Sequence, residues 1–136
     1  MRLWHYSLID CLPKSQLLAQ WRELNSIYVN QPNHILINYI YKYPKSYLYC
    51  YSTLVINEMR KRGYKISDKA YNNFTTYFAD MEKQETYQMF MQHNNTYFGI
   101  CYCNLLEKFI RGQKDFDCDT MKKIEKRYKE MMDNDI

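Results

Sequence analysis

Leu17, Leu18, Trp21, Leu24 and Ile27 or Tyr28 recur at helical spacing, and Pro13 stands where a proline can open a helix, so the pattern predicts a first helix over about 13–28. Gln16, Gln20 and Glu23 fall on its polar face. Asn30, Gln31, Pro32 and Asn33 make a short link to a segment at about 34–42. Pro44 restarts the chain before a run from Tyr47 to Arg62, which Gly63 closes as a C′ residue. Ser67 or Asp68 can cap the next helix, with Tyr71, Phe74, Tyr77 and Phe78 on one stripe, and a polar stretch near 80–88 obscures its end. Asn94 or Asn95 begins a helix that runs through Ile100, Leu105, Leu106 and Phe109 to Gly112. Asp119 begins a last helix at 120–132, mostly charged, with Met121, Ile124, Tyr128 and Met131 or Met132 as a narrow apolar edge. The pattern predicts an all-α protein: a compact single domain over 1–136, built as a bundle of five to six helices, with no internal repeat or linker.

Composition narrows this further. A 136-residue chain with 46% hydrophobic side chains is long enough to bury a core without disulfides or metals. Only three Gly and three Pro occur, too few for the turns of an all-β fold. Arg2, His5 and Asp10 interrupt the N-terminal apolar residues, and no later run has the length of a membrane span, so a soluble, cytoplasmic protein is expected, with no membrane partner. Cys11, Cys50, Cys101, Cys103 and Cys118 include no CxxC, and read as reduced packing residues. Cys101 and Cys103, two apart on a helix, diverge, so neither a metal site nor a cofactor is expected. Fifteen tyrosines fit AT-rich codon usage and core packing, because aromatics without a groove do not make a base-stacking site.

Charge and the first quarter of the chain bring in chemistry. Residues 1–66 carry nine Lys/Arg against three acids, a balance of +6 in a chain whose total is +4, so the positive field belongs to the N-terminal half and suits a polyanion. There a terminal amine and Glu23 share a segment in which the only other acid is Asp10. An imine-forming nucleophile must be a neutral amine, and an ordinary α-amine is about a quarter neutral near pH 7.4, against roughly a thousandth for a lysine. A carboxylate beside it can orient it, stabilise a cationic intermediate and move protons. Arg22 can hold a phosphate bidentately, while Arg2, Lys14 and the Arg60, Lys61, Arg62 cluster can neutralise a flanking backbone. Cations at 60–62 also complement a helix C-terminus whatever the function.

Three segments, LLAQWREL at 17–24, NHILINYI at 33–40 and LVINEMRKRGYKI at 54–66, resemble in the same order the phage endonuclease V type of pyrimidine dimer DNA glycosylase and its bacterial relatives beginning MRLW. The resemblance covers most of residues 1–66, and a looser version continues near 95–112. It implies an endonuclease V-like all-α fold and damaged double-stranded DNA as partner. It also implies an N-terminal α-amine that attacks the sugar of a damaged nucleotide, with nicking at the abasic site, and a glutamate after arginine as the acid/base. The matching positions are Met1, Arg22 and Glu23, and the family's histidine matches His34.

The departures are specific. The phage type has a long basic loop between its Arg-Glu pair and the histidine, where this chain has ten residues, Leu24 to Asn33. The phage type ends in a basic tail rich in tryptophan and tyrosine, where this chain ends in a mixed-charge segment. Met1 precedes bulky Arg2 and is expected to stay, which makes the amine of Met1 the nucleophile. The alternative reading is a non-catalytic helical DNA-binding or protein-interaction module that kept the fold. The two separate on one observation, whether the Met1 nitrogen, Glu23 and Arg22 converge or whether Met1 is buried or remote.

Overall fold

A computed structural model describes residues 1–82 and 86–133. Five α-helices, α1 (Lys14–Asn30), α2 (Lys45–Lys61), α3 (Asp68–Tyr77), α4 (Asn95–Ile110) and α5 (Cys118–Asp133), are joined by two 3₁₀ helices at Tyr6–Cys11 and Asn38–Lys42. The described residues contain no strand, so the fold is all-α, as the sequence pattern predicts. α1 packs on α2 and α3, α4 packs on α5, and the first 3₁₀ helix lies against both α2 and α5.

The helix limits follow local chemistry. Pro13 and Pro44 occupy the N-cap positions of α1 and α2. The Ser67 side chain accepts from the Ala70 amide and that of Asn94 from the Tyr97 amide. Gly63 and Gly112, just past α2 and α4, take φ of +78° and +74°, the left-handed backbone at which glycine bears no Cβ penalty. Part of the polar stretch near 80–88, residues 83–85, lies outside the described residues.

Leu17, Trp21, Leu24, Ile27 and Tyr28 are buried along α1, as the spacing predicts, and Met121 and Ile124 anchor α5. Four expectations fail. Gln16 and Gln20 do not face solvent but are buried. Ile100 is exposed, and Phe98, Cys101 and Leu105 form the inner face of α4. Cys103 and Cys118 are exposed rather than packed. The first 3₁₀ helix, which the pattern does not predict, arises where the short apolar stretch Leu8, Ile9 and Cys11 turns into the core.

Before that helix, residues 2–5 run through the core as an extended segment, with Leu3, Trp4 and His5 buried. A buried segment without a sheet partner must find its backbone hydrogen bonds on side chains. Gln20 of α1, Tyr51 of α2 and Tyr97 of α4 supply them. Gln20 Oε1 accepts from the Trp4 amide at 2.8 Å and its Nε2 donates to the Arg2 carbonyl at 3.1 Å. The Tyr51 hydroxyl is shared between the Trp4 carbonyl at 2.7 Å and Gln20 Oε1 at 2.9 Å, and the Tyr97 hydroxyl donates to the Leu3 carbonyl.

The following 3₁₀ helix is strapped by cations. Arg62 donates to the Leu12 carbonyl at 2.7 Å, reaches those of Ile9 and Asp10, and pairs with Glu58 at 2.8 Å. Arg127 of α5 forms a two-pronged pair with Asp10 at 2.9 and 3.0 Å and donates to the Ser7 carbonyl. Burial opposes ionisation of Asp10, yet Arg127 holds its carboxyl below the usual 3.8.

Candidate active site

The clamped N-terminal segment fixes where residue 1 lies. Met1 is half-buried, at the end of a segment tied to three helices, and Glu23 is half-buried on the adjoining turn of α1. Gln20 links the two: the Nε2 that donates to the Arg2 carbonyl also donates to Glu23 Oε2 at 3.2 Å. Burial raises the Glu23 carboxyl above its ordinary value. The Met1 ammonium, the Arg2 backbone amide, the Arg22 guanidinium and the Gln20 amide pull the other way. The amine and the guanidinium thus both favour the Glu23 carboxylate. The competition keeps Glu23 an acid with an elevated affinity for its proton, beside a cation that favours its anion.

The other sequence-predicted residues scatter around this point. Arg22 is exposed and opens into a cleft of about 380 Å³ between α1 and α3, shared with Trp21, Asn25, Lys65, Lys69 and Asn73. Arg2 lies 5.8 Å from the centroid of the Tyr97 ring, on the α4 side. Lys14, nine residues before Glu23 at the far end of α1, stands 5.2 Å from the Tyr64 ring. Arg60 stands 5.2 Å from the Tyr71 ring, and Lys61 is exposed. Arg62, predicted to face DNA with them, turns inward to the carbonyls described above, because the end of the 3₁₀ helix presents unpaired oxygens to it. His34 sits in the link after α1, where its Nδ1 accepts from the Leu36 amide at 3.1 Å.

Against the N-terminal segment packs a buried layer that the sequence does not reveal. His93 Nδ1 accepts from the Tyr6 amide at 3.3 Å, so in the neutral ring Nε2 carries the proton and donates to the Tyr39 hydroxyl at 2.8 Å. His5 stacks against Tyr6, with its centroid 5.5 Å from that of His93. Burial pushes His5 down to about 4 and, with His5 adding to the effect, His93 down to about 3, so both rings are neutral near pH 7 and serve as hydrogen-bonding spacers. Gln20 had a sequence signal in its four- and three-residue spacing from Gln16 and Glu23. Tyr51, Tyr97 and His93 had none, because their partners are distant in sequence.

Among the described residues, no group of three or more His, Cys, Asp and Glu side chains is arranged to hold a metal, and no helix is long and apolar enough to cross a membrane. The all-α chain thus places Met1, at the end of a buried N-terminal segment, and Glu23 on the two sides of Gln20. A family model, that of pyrimidine dimer DNA glycosylase, matches residues 1–72, just over half of the chain, and the chain belongs to that family. The matched segment holds Met1, Arg22, Glu23 and His34, whereas His93, Tyr97 and Arg127, which brace the N-terminal segment, lie outside it. No curated protein and no solved structure matches the chain.

Proposed function

We propose that the chain is a DNA-repair glycosylase with abasic-site lyase activity on pyrimidine dimers in double-stranded DNA, with the Met1 α-amine as nucleophile and Glu23 as acid/base. The observation that carries this reading is the Gln20 side chain, which bonds both the Arg2 carbonyl, next to Met1, and the half-buried Glu23 carboxylate. The neutral amine attacks C1′ of the damaged nucleotide, a C–N bond forms, and the bond to the base breaks, with the base leaving as the electron pair acceptor. Loss of the amine proton and opening of the sugar ring give an iminium. Glu23 takes the C2′ proton, the electrons pass toward the iminium, and the 3′ phosphate departs by β-elimination. Water then hydrolyses the imine and returns the amine. Arg22 and Arg2 supply positive charge for the phosphates on either side. Lys14, Arg60 and Lys61 extend the contact, and His34 approaches the DNA from the link after α1. Arg62 is left out of this set because its guanidinium is occupied.

A half-exposed Met1 favours this reading over the non-catalytic module. The test is borohydride trapping on duplexes that carry an abasic site and, separately, a cyclobutane dimer. The wild type should give a covalent adduct with both. A protein with an uncleaved N-terminal tag should bind DNA and trap neither. Glu23→Gln should fold, bind DNA, and nick more slowly by about 10²–10⁴. Wild-type trapping by the tagged protein would remove Met1 from the mechanism.

A further inference from the structure

The link between α1 and the second 3₁₀ helix ends in an apolar tip. Ile35 is 86% exposed and Leu36 40%, directly before Ile37, which is wholly buried and anchors the turn to the core. Exposing two large aliphatic side chains in succession does nothing for stability, and an isolated tip of this kind calls for a partner. The turn that carries it is stiff. The His34 amide donates to Asn38 Oδ1 at 2.8 Å, Asn38 Nδ2 donates to Asn33 Oδ1 at 2.8 Å, and the Ile37 and Asn38 amides donate to the His34 carbonyl at 3.0 and 2.9 Å. Upstream, Gln31 takes the left-handed conformation, φ 43°, and its side chain closes the end of α1 on the carbonyls of Ile27 and Tyr28, which sets the direction in which the chain leaves the helix. The Tyr41 hydroxyl ties the far side of the turn to the Pro32 carbonyl at 2.8 Å.

We infer that Ile35 and Leu36 form a wedge that enters the base stack of duplex DNA beside the damaged nucleotide. The inference rests on the glycosylase reading above. Two observations choose DNA over another protein or a membrane. From Leu24 to Asn57 the chain contains no acidic residue, and after the tip come the exposed Lys42 and then Lys45, which pairs with Asp80 at 3.2 Å, so the segment that carries the apolar point sets no negative charge of its own against a phosphate. The turn is also tied to the residues that back the N-terminal segment. Tyr39, four residues on from Ile35, bonds to His93 beneath the N-terminal segment, and Arg2 is among the charges that act on its hydroxyl. Aliphatic side chains pushed between base steps unstack and kink a duplex, which is what a half-buried amine needs if it is to reach a sugar carbon. A wedge has to be rigid to transmit that force, and the hydrogen bonds of Asn33, His34 and Asn38 leave the two apolar side chains as the free end.

The experiment replaces both residues, Ile35→Ser with Leu36→Ser, and leaves the Asn33, His34 and Asn38 bonds in place. Two substrates are used: a duplex with a cyclobutane dimer, and a single-stranded oligonucleotide with a preformed abasic site, in which nothing has to be unstacked. Nicking of the duplex should fall at least tenfold, and covalent trapping on the single strand should stay within about twofold. A 2-aminopurine next to the lesion should brighten when the wild type binds and brighten less with the variant. Ile35→Met, which keeps an aliphatic point, should retain most of the duplex activity. An unchanged duplex rate, or an equal fall on both substrates, overturns the wedge. A wild type that acts on neither substrate overturns the glycosylase reading instead.

Discussion

Replacing Gln20 with methionine removes the junction between the N-terminal segment and Glu23 while keeping length, volume and helix propensity. Four hydrogen bonds disappear: the Trp4 amide loses its acceptor, the Arg2 carbonyl its donor, Glu23 Oε2 one of its donors, and the Tyr51 hydroxyl one of its two partners. The Tyr51 hydroxyl keeps the Trp4 carbonyl. A buried amide left without a partner costs about 1–3 kcal/mol and a partly buried carbonyl about 1 kcal/mol. The apolar side chain returns roughly 1 kcal/mol through burial. The net loss is then about 1–3 kcal/mol, which for a domain of this size lowers the melting temperature by roughly 4–10 °C. The second effect is kinetic. Without Gln20, the Arg2 carbonyl loses its anchor to α1, and an ångström of added freedom at a reacting atom costs up to about a hundredfold. Single-turnover trapping on an abasic duplex, measured at 25 °C well below the melting transition, should slow by about tenfold to a hundredfold with DNA affinity unchanged. A variant that loses stability but traps at the wild-type rate would show that Gln20 braces the fold without positioning the amine. A variant with neither change would refute the reasoning from the hydrogen bonds.

Other perturbations separate structural from DNA-facing charges. Arg62→Ala should cost about 1.5–3 kcal/mol in urea unfolding and leave the salt dependence of DNA binding unchanged, because it strips the Leu12 carbonyl and Glu58 of their partner. Arg60→Ala with Lys61→Ala should do the reverse, with a salt slope lower by roughly 0.9 for each lost phosphate contact. Asp10 is held below 3.8 in the folded state, so its contribution is complete above that pH and is lost as pH falls through the folded value. The difference in urea midpoint between the wild type and Asp10→Asn should therefore be largest near neutrality and shrink below about pH 4. A gap that widens on acidification would contradict the Asp10 to Arg127 assignment.

Much of the fold is legible because local rules agree with it. Pro13, Pro44, Ser67, Asn94, Gly63 and Gly112 each mark a boundary that the structure keeps within a few residues, since capping and left-handed backbone are decided over one helical turn. Gln20 was misplaced because its spacing from Glu23 looks the same whether the stripe meets water or a buried backbone segment; only the tertiary position of Trp4 decides. Arg62 was misplaced for a related reason: a basic run at a helix end carries no sign of the Leu12 carbonyl fifty residues earlier. The candidates Met1, Glu23, Arg22 and His34 come from the ordered resemblance of three short segments. Tyr97 and His93 were not, since their partners lie 94 and 87 residues away.

That separation also bears on how the protein comes into being. The segment next to Met1 is bonded to Tyr97 across 94 residues, and the 3₁₀ helix after it to Arg127 across 120. Contacts of such high order close late in folding, and on a ribosome they wait for the distal helices to emerge. The Met1 amine therefore has no fixed position until α4 and α5 dock. On the mechanism proposed above, a chain interrupted during synthesis would not nick DNA.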